Sequence, residues 1–238
     1  MDNENPLYRE RPVSFVRRGS RLQGRRQQLW DDYADRFVID VPRDVGATSI
    51  DPGFRLDPEQ TFGRDAPLVI EIGTGLGEAI AAGAAAHPEK NFLGIEVYRP
   101  GIASLLGHAA QANVSNVRAV LANAPDVLET MLPASSVAEA WMFFPDPWHK
   151  KRHHKRRLVQ PYFVDLVARV LRPGGTWRLA TDWQEYAEHM LDVTDASEHF
   201  TNPNDGYAQR FDGRTLTSFE KKAGQAGRAI FDIELTRR

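Results

Sequence analysis

The sequence predicts an α/β fold, with a doubly wound and mostly parallel sheet that carries one antiparallel strand at its C-terminal end. From Pro67 onward, short apolar runs alternate with stretches of helical periodicity. The runs are continuously apolar, which is typical of strands that are buried on both faces. Because strand and helix alternate, helices are expected on both faces of the sheet.

Five apolar runs predict the parallel strands, at residues 68–73, 91–97, 117–122, 139–144 and 176–182. A late apolar run over 229–235 predicts the antiparallel strand. Residues 1–60 are rich in Arg, Asp and Pro and are predicted to form a basic, partly disordered N-terminal extension, with one short helix over 23–37. Residues 61–238 then form a single domain.

The composition excludes several classes of protein. The chain has no cysteine, which rules out disulfides, thiolate zinc sites, iron–sulfur clusters and a cysteine nucleophile. No apolar stretch approaches the ~18 residues of a membrane span, and the N-terminus lacks the features of an export signal. We therefore expect a cytoplasmic protein without a membrane or metal partner, either a monomer or a homodimer.

The positive charges are concentrated in two segments. The net charge is only −2, yet residues 1–26 hold seven arginines against three acidic residues, and residues 149–157 (HKKRHHKRR) hold six positive charges. The rest of the chain therefore carries about −12. Although one basic run could be a solvated helix face, two such segments on an acidic body indicate a nucleic-acid partner.

A glycine-rich turn follows the first predicted strand, with Gly73, Gly75 and Gly77 after Glu71. Glycines allow a sharp turn and a close approach to a ligand. A dinucleotide site with the pattern G-x-G-x-x-G would need a glycine at position 78, where the chain has Glu78. A carboxylate at Glu71 suits an ammonium or sulfonium group, which favours S-adenosyl-L-methionine as the cofactor, with a purely structural turn as the alternative.

Two polar residues follow the next two strands. Glu96 ends the second strand, and its two carboxylate oxygens can accept both hydroxyls of an adenosyl ribose. Asn123 follows the third strand, where its side chain either hydrogen-bonds an adenine edge or caps a loop.

The segment FFPDPWHK follows the fourth strand. Two prolines hold Asp146 on an extended backbone at the strand end, while Phe144 and Trp148 offer flat surfaces for a base, and Lys150 follows at once. A carboxylate, an aromatic ring and a cation in this order match the base edge, the base face and the phosphate backbone of a nucleotide. The alternatives are an aromatic core with Asp146 as a cap, and a zinc site at the three histidines of the basic run, which the lack of an acidic or cysteine partner disfavours.

Together these motifs resemble the bacterial tRNA (guanine-N7-)-methyltransferase family, which are class I S-adenosylmethionine-dependent enzymes with a Rossmann-like fold. The resemblance covers roughly residues 12–238 and includes IEIGTGLG, GIEVYRPG, FFPDPWHKKRHHKRRLVQPYF, ATDWQEYAEHM and LTSFEKKAG. It implies methyl transfer to N7 of a guanosine in the variable loop of tRNA.

The resemblance also implies roles for single residues. Asp146 corresponds to the principal active-site aspartate, which also lies at the cofactor, and the third cofactor contact, usually an aspartate, falls on Asn123. The implied substrate contacts are Lys150, Asp182, Thr217, Ser218, Phe219 and Glu220. Cations expected at the tRNA backbone are Lys151, Arg152, Lys155, Arg156 and Arg157. The chain departs from the family at Asn123, at Thr74 and in the sequence 221–224.

Guanine N7 has a free lone pair at neutral pH, so the predicted reaction needs alignment and no general base. Asp146, Asp182 and Glu220 are expected to accept hydrogen bonds from the N1 and N2 donors of guanine. Three other functions remain open at this level: a methyltransferase for another RNA or a small molecule, a non-catalytic RNA-binding protein, and an oxidoreductase using a nicotinamide cofactor.

Overall fold

The computed structural model describes residues 21–238. In this part of the chain, a seven-stranded sheet has the order β3-β2-β1-β4-β5-β7-β6. β7 pairs antiparallel with β5 and β6, and every other pair is parallel. The strands are β1 (Leu68–Ile72), β2 (Asn91–Glu96), β3 (Val117–Leu121), β4 (Val137–Phe143), β5 (Leu171–Thr181), β6 (Phe200–Thr201) and β7 (Phe231–Arg237).

Helices cover both faces of this sheet. They are α1 (Arg25–Phe37), α2 (Pro58–Phe62), α3 (Glu78–Ala86), α4 (Arg99–Gln111), α5 (Ala124–Asp126, continued by a π-helical turn Val127–Met131), α6 (Pro161–Val170), α7 (Gln184–Asp195) and α8 (Ser218–Gln225). A 3₁₀ helix, Lys151–Arg156, follows β4. Proline stands in the first turn of α2, α4, α5 and α6, where its missing N–H and restricted φ favour a helix start.

Two apolar cores lie on the two faces of the sheet. On one face, Ile80 of α3 and Ile102 and Leu105 of α4 pack with Phe37 of α1. On the other, Phe163 of α6 and Tyr186 and Met190 of α7 pack against the sheet. Because both faces are covered, the central strands are buried along their length, as their continuous apolar sequences predict.

The predicted strands and the antiparallel C-terminal strand are confirmed, with two differences. β5 begins at Leu171 instead of 176, because Val137 pairs with Leu171 before a register shift restores pairing at Thr176. Residues 173–175 are proline and two glycines, which are typical of turns, so the sequence does not predict a strand over this irregular start. The two-residue strand β6 was not predicted, since two residues carry no periodic signal.

Part of the predicted extension packs on the domain. Leu29 of α1 packs closely against Gly107 of α4. A Cβ atom added at Gly107 would lie 2.9 Å from Cδ1 of Leu29. Val38 forms a parallel bridge with Ala119 of β3. Further along, Val41, Ile50 and Leu56 join the core on the other face. The prolines and glycines thus interrupt the helical pattern without preventing burial. Residues 1–20, with most of the N-terminal arginines, lie outside the described residues.

Candidate active site

A cleft of about 230 Å³ opens at the carboxyl ends of β1, β2 and β4. Ligands bind at this edge of open α/β sheets, where the strand order reverses. Eight of the predicted site residues line it: Glu71, Gly73, Gly75, Glu96, Asp146, Arg156, Thr217 and Phe219. Among residues 21–238, no helix is long and apolar enough to cross a membrane. The same residues contain no cluster of three metal-ligating side chains.

The glycine turn uses each glycine differently. All three have positive φ values, of 74° at Gly73, 57° at Gly75 and 78° at Gly77. A Cβ on Gly73 would meet nothing within 4 Å, so this position requires only the backbone conformation. A Cβ on Gly77 would lie 2.3 Å from the Cβ of Leu105, so this glycine lets α3 pack against α4. Gly77 therefore shapes the turn from outside the cleft.

Glu71 is buried at the floor of the cleft. Its side chain is 4% exposed, and its Oε2 atom has no hydrogen-bond partner within the described protein. Burial raises the pKa of Glu71 to about 8, the backbone of Ile80 partly opposes this, and the charges of Glu96 and Glu78 add to it. A cationic ligand group would compensate the buried carboxylate, so the site fits an ammonium or sulfonium group.

Glu96 is held by three backbone N–H groups. Its Oε2 accepts from Gly75 at 2.8 Å, and its Oε1 accepts from Val97 at 2.8 Å and from Tyr98 at 2.9 Å. Burial raises the pKa of Glu96, although these hydrogen bonds oppose the shift. The carboxylate is fixed at the rim of the glycine turn, and an ionised carboxylate oxygen retains capacity for ribose hydroxyl donors.

Asp146 lies on a constrained and exposed segment. The flanking Phe144 and Trp148 have positive φ values, 54° and 47°, which are rare for aromatic residues and mark functional segments. Asp146 lines the cleft and also a neighbouring pocket of about 280 Å³ that contains Lys150, His149 and His153. It therefore stands between the glycine turn and a pocket that contains Lys150. Trp148 is largely buried, with the guanidinium of Arg156 5.0 Å from its ring centre.

The basic run is divided between surface and interior. Lys151, Arg152 and Lys155 are exposed on the 3₁₀ helix. Arg157 has no exposed surface: it pairs with Glu185 through both guanidinium ends and donates from Nε to the Pro147 carbonyl at 2.9 Å. The geometry therefore does not support the predicted phosphate contact of Arg157. Its position instead fixes the end of the Asp146 segment.

The segment 217–220 lies over the cleft, but its members face different ways. Thr217 caps α8 by accepting a hydrogen bond from the N–H of Glu220 at 3.2 Å. Phe219 is 50% exposed and borders the glycine turn. Glu220 is 5% exposed and is bound by Arg210 and Arg214. A direct contact between Glu220 and guanine is therefore not supported, because its oxygens serve this network.

Three further predicted residues, Asp182, Asn123 and Lys150, lie outside the cleft lining. Asp182 follows β5 and accepts a hydrogen bond from Nε of Arg228 at 2.8 Å in a separate surface pocket. Asn123 occupies the N-cap position of α5 after β3 without a side-chain capping hydrogen bond, and its Nδ2 atom lies 3.5 Å from Oδ1 of Asp126. Lys150 is exposed in the pocket beside Asp146. Of these three, only Lys150 adjoins the cleft.

Sequence reasoning missed Glu78 and Arg214. Glu78 lines the cleft and accepts two hydrogen bonds from Ser218, 140 residues away. Arg214 is fully buried and joins Glu220 to Asp232 of β7. No local pattern predicts such long-range pairs. The only signal was that Glu78 stands where a dinucleotide-binding turn would have glycine.

The sheet order, the glycine turn and the paired carboxylates at one strand edge define a Rossmann-like methyltransferase. A family model described as "Putative methyltransferase" matches residues 65–233. A tRNA (guanine-N(7)-)-methyltransferase from Arthrobacter sp. (strain FB24) is 48% identical over 95% of this chain and 86% of its own length. One from Alcanivorax borkumensis is 44% identical over 100% of this chain and 96% of its own. The chain belongs to the tRNA (guanine-N(7)-)-methyltransferase family.

Solved structures share the fold at much lower identity. The 16S rRNA methyltransferase KamB has a TM-score of 0.56 and 17% identity, and the match covers 75% of this chain and 91% of that one. An rRNA methylase from Streptococcus thermophilus has a TM-score of 0.50 and 14% identity, covering 73% and 87%. These similarities support the fold alone.

Proposed function

We propose that this protein transfers the methyl group of S-adenosyl-L-methionine to N7 of a guanosine in the variable loop of tRNA, in the cytoplasm. The observation that carries the proposal is the position of Asp146, between a cleft lined by Glu71 and Glu96 and a pocket that contains Lys150. The relatives at 44–48% identity bear the name of this activity.

The cofactor would be held by the glycine turn and the two glutamates. Glu71 offers a buried carboxylate with a free oxygen to a cationic group, and Glu96 offers oxygens fixed beside Gly75 to ribose hydroxyls. When bound, S-adenosyl-L-methionine supplies an electrophilic methyl group and leaves as S-adenosylhomocysteine. Asn123, which lies outside the cleft lining, would reach an adenine only from the end of β3.

Asp146 would orient the base. Its carboxylate accepts hydrogen bonds from guanine N1–H and the N2 amino group, which aligns N7 with the methyl group. Methylation places a positive charge on the guanine ring, and the negative charge of Asp146 stabilises it. No base is needed, because N7 carries no proton. Asp182 could join this contact only after its ion pair with Arg228 opens.

Glu220 would act indirectly, by holding the first turn of α8 through Arg210 and Arg214. Thr217 and Phe219 remain as substrate contacts at the mouth of the cleft, while Ser218 faces Glu78. Lys150 would bind a phosphate of the target nucleotide from the pocket beside Asp146.

The direct test is incubation with unmodified tRNA transcripts and methyl-labelled S-adenosyl-L-methionine, followed by digestion and mass spectrometry of the nucleosides. We expect 7-methylguanosine, and mapping of its position within the tRNA tests the variable-loop assignment. Bound cofactor without a labelled tRNA nucleoside would keep the methyltransferase fold and reject tRNA as the substrate.

The exposed cations of the 3₁₀ helix are expected to bind phosphates. Triple charge reversal (Lys151→Glu, Arg152→Glu, Lys155→Glu) should raise the KM for tRNA about tenfold or more near physiological salt, since each lost phosphate contact weakens binding and lowers the salt slope by about one. The affinity for S-adenosyl-L-methionine, measured by calorimetry, should not change, because these residues do not line the cleft.

A triple reversal at Arg55, Arg172 and Arg238 is the matched control. All three are exposed, and Arg172 and Arg238 lie at the start of β5 and beyond the end of β7, at the opposite edge of the sheet. Equal loss of tRNA affinity in both triple variants would mean that net charge, and not the 3₁₀ helix, governs binding.

A further inference from the structure

A single carboxylate joins the starts of two helices that are far apart in the sequence. Oε2 of Glu78, the first residue of α3, accepts the backbone N–H of Ser218 at 2.8 Å. Its Oε1 accepts the Ser218 hydroxyl at 2.7 Å. A carboxylate beside the N-terminus of a helix is favourable, because the first N–H groups lack partners within the helix. We call this pair of bonds the Glu78–Ser218 clamp.

α8 has other supports, so the clamp is more than a helix cap. Thr217 already caps the helix through the N–H of Glu220, and Arg214 ties Glu220 to Asp232 of β7. The bonds through Arg214 attach α8 to β7. Among the hydrogen bonds of the described residues, those from Ser218 to Glu78 attach the first turn of α8 to the start of α3, directly after the glycine turn. The clamp therefore decides how α8 lies relative to the glycine turn.

The first turn of α8 borders the cleft directly. Cε2 of Phe219 would lie 3.3 Å from a Cβ added at Gly75, so the ring lies against the glycine turn. Gly75, Glu78, Thr217 and Phe219 all line the same cleft. A ligand in the cleft contacts the glycine turn and this part of α8 together. Such a ligand favours the arrangement in which the two are clamped, because only there does it gain both sets of contacts.

We propose that the Glu78–Ser218 clamp couples the cofactor site to the substrate segment 217–220, so that bound S-adenosyl-L-methionine holds the first turn of α8 over the cleft. Glu78 is then a positioning residue, which acts through Ser218 on Thr217 and Phe219. The inference rests on the proposed function for the identity of the ligand and the role of this segment.

Hydrogen–deuterium exchange of peptides covering 215–225 tests the coupling in the full chain, without tRNA. In the wild-type protein, saturating S-adenosyl-L-methionine should slow exchange in this segment about fivefold or more, the lower end of ordinary coupling between sites. In Glu78→Ala the cofactor should bind, yet exchange in this segment should no longer respond to it. Ser218→Ala keeps the backbone bond and should give an intermediate response.

Binding affinities supply a second readout. Because coupling between binding sites is reciprocal, Glu78→Ala should bind S-adenosyl-L-methionine about fivefold more weakly and show a similar rise in the Kd for tRNA at saturating cofactor. Glu59→Ala is the control: Glu59 is an exposed glutamate in the first turn of α2, outside the cleft lining. It should change neither exchange nor the two affinities.

The clamp proposal would be overturned if exchange in segment 215–225 of the wild type did not slow when the cofactor binds. It would also be overturned if Glu78→Ala retained the wild-type slowing of exchange. A further outcome distinguishes failure of the proposed function from failure of the clamp. If the cofactor-dependent protection is present and lost in Glu78→Ala, while no tRNA nucleoside is methylated, then the clamp stands and tRNA is not the substrate.

Discussion

Asp146→Ala is expected to abolish methylation of tRNA while the cofactor still binds. Asp146 is exposed between two prolines and lines both the cleft and the pocket that contains Lys150, whereas the proposed cofactor contacts are Glu71 and Glu96. Loss of the alignment that one positioned group supplies costs about 10²-fold or more in rate. We expect kcat to fall by at least that factor, with the affinity for S-adenosyl-L-methionine changed by less than about threefold.

Two companion variants sharpen this test. Asp146→Asn keeps one acceptor oxygen but loses the negative charge that stabilises a methylated guanine, so it should be nearly as inactive. Asp44→Ala removes an exposed aspartate outside the cleft lining and should behave as wild type. Single-turnover methylation measures the chemical step, and calorimetry measures cofactor binding. A fully active Asp146→Ala enzyme would remove this residue from the mechanism.

The core of the site was predictable because it depends on local order along the chain. Glu71 and Glu96 lie in the last residues of β1 and β2, Asp146 follows β4, and parallel strands bring their carboxyl ends to one edge of the sheet. The same logic located the glycine turn. Residues that follow consecutive strands therefore converge without any knowledge of tertiary contacts.

The remaining assignments depended on pairs that the sequence does not show. Arg157 and Glu220 are charged residues in motifs that suggest an RNA surface, but each is buried with partners 6 to 28 positions away. Burying such a charge without a partner is costly, so a buried pair forms wherever the fold brings two together. Asp182 was expected at the cleft, yet its distant partner Arg228 holds it in another pocket.

The largest effect on stability is expected for Arg214→Ala. The Arg214 side chain has no exposed surface, and it donates from Nε to Glu220 at 3.1 Å and from Nη2 to Asp232 at 3.0 Å, with a further bond from Nη1 to Asp232. Removing one partner of a buried ion network leaves uncompensated charge and costs about 3–5 kcal/mol in the free energy of unfolding. Chemical denaturation at pH 7 measures this loss.

Lowering the pH should reduce the difference in the free energy of unfolding between Arg214→Ala and the wild type. Burial opposes ionisation of Glu220, but its hydrogen bonds from Arg210 and Arg214 outweigh this and lower its pKa from the ordinary 4.5. A lowered carboxyl pKa contributes stability that is present above pH 4.5 and is lost as pH falls through the folded-state value. The wild type therefore loses part of its advantage in the free energy of unfolding as the pH falls below 4.5 and through the folded-state pKa of Glu220.

Arg210→Ala is the matched comparison, because Arg210 binds the same Glu220 from a side chain that is 41% exposed. Solvent screens such a pair, so its loss should cost only about 1 kcal/mol or less. Arg214→Lys keeps the charge but not the forked donors, and should lie between the two alanine variants. If Arg214→Ala were no less stable than Arg210→Ala, the buried network would not be what holds α8 against β7, and Glu220 would again be free to contact the substrate.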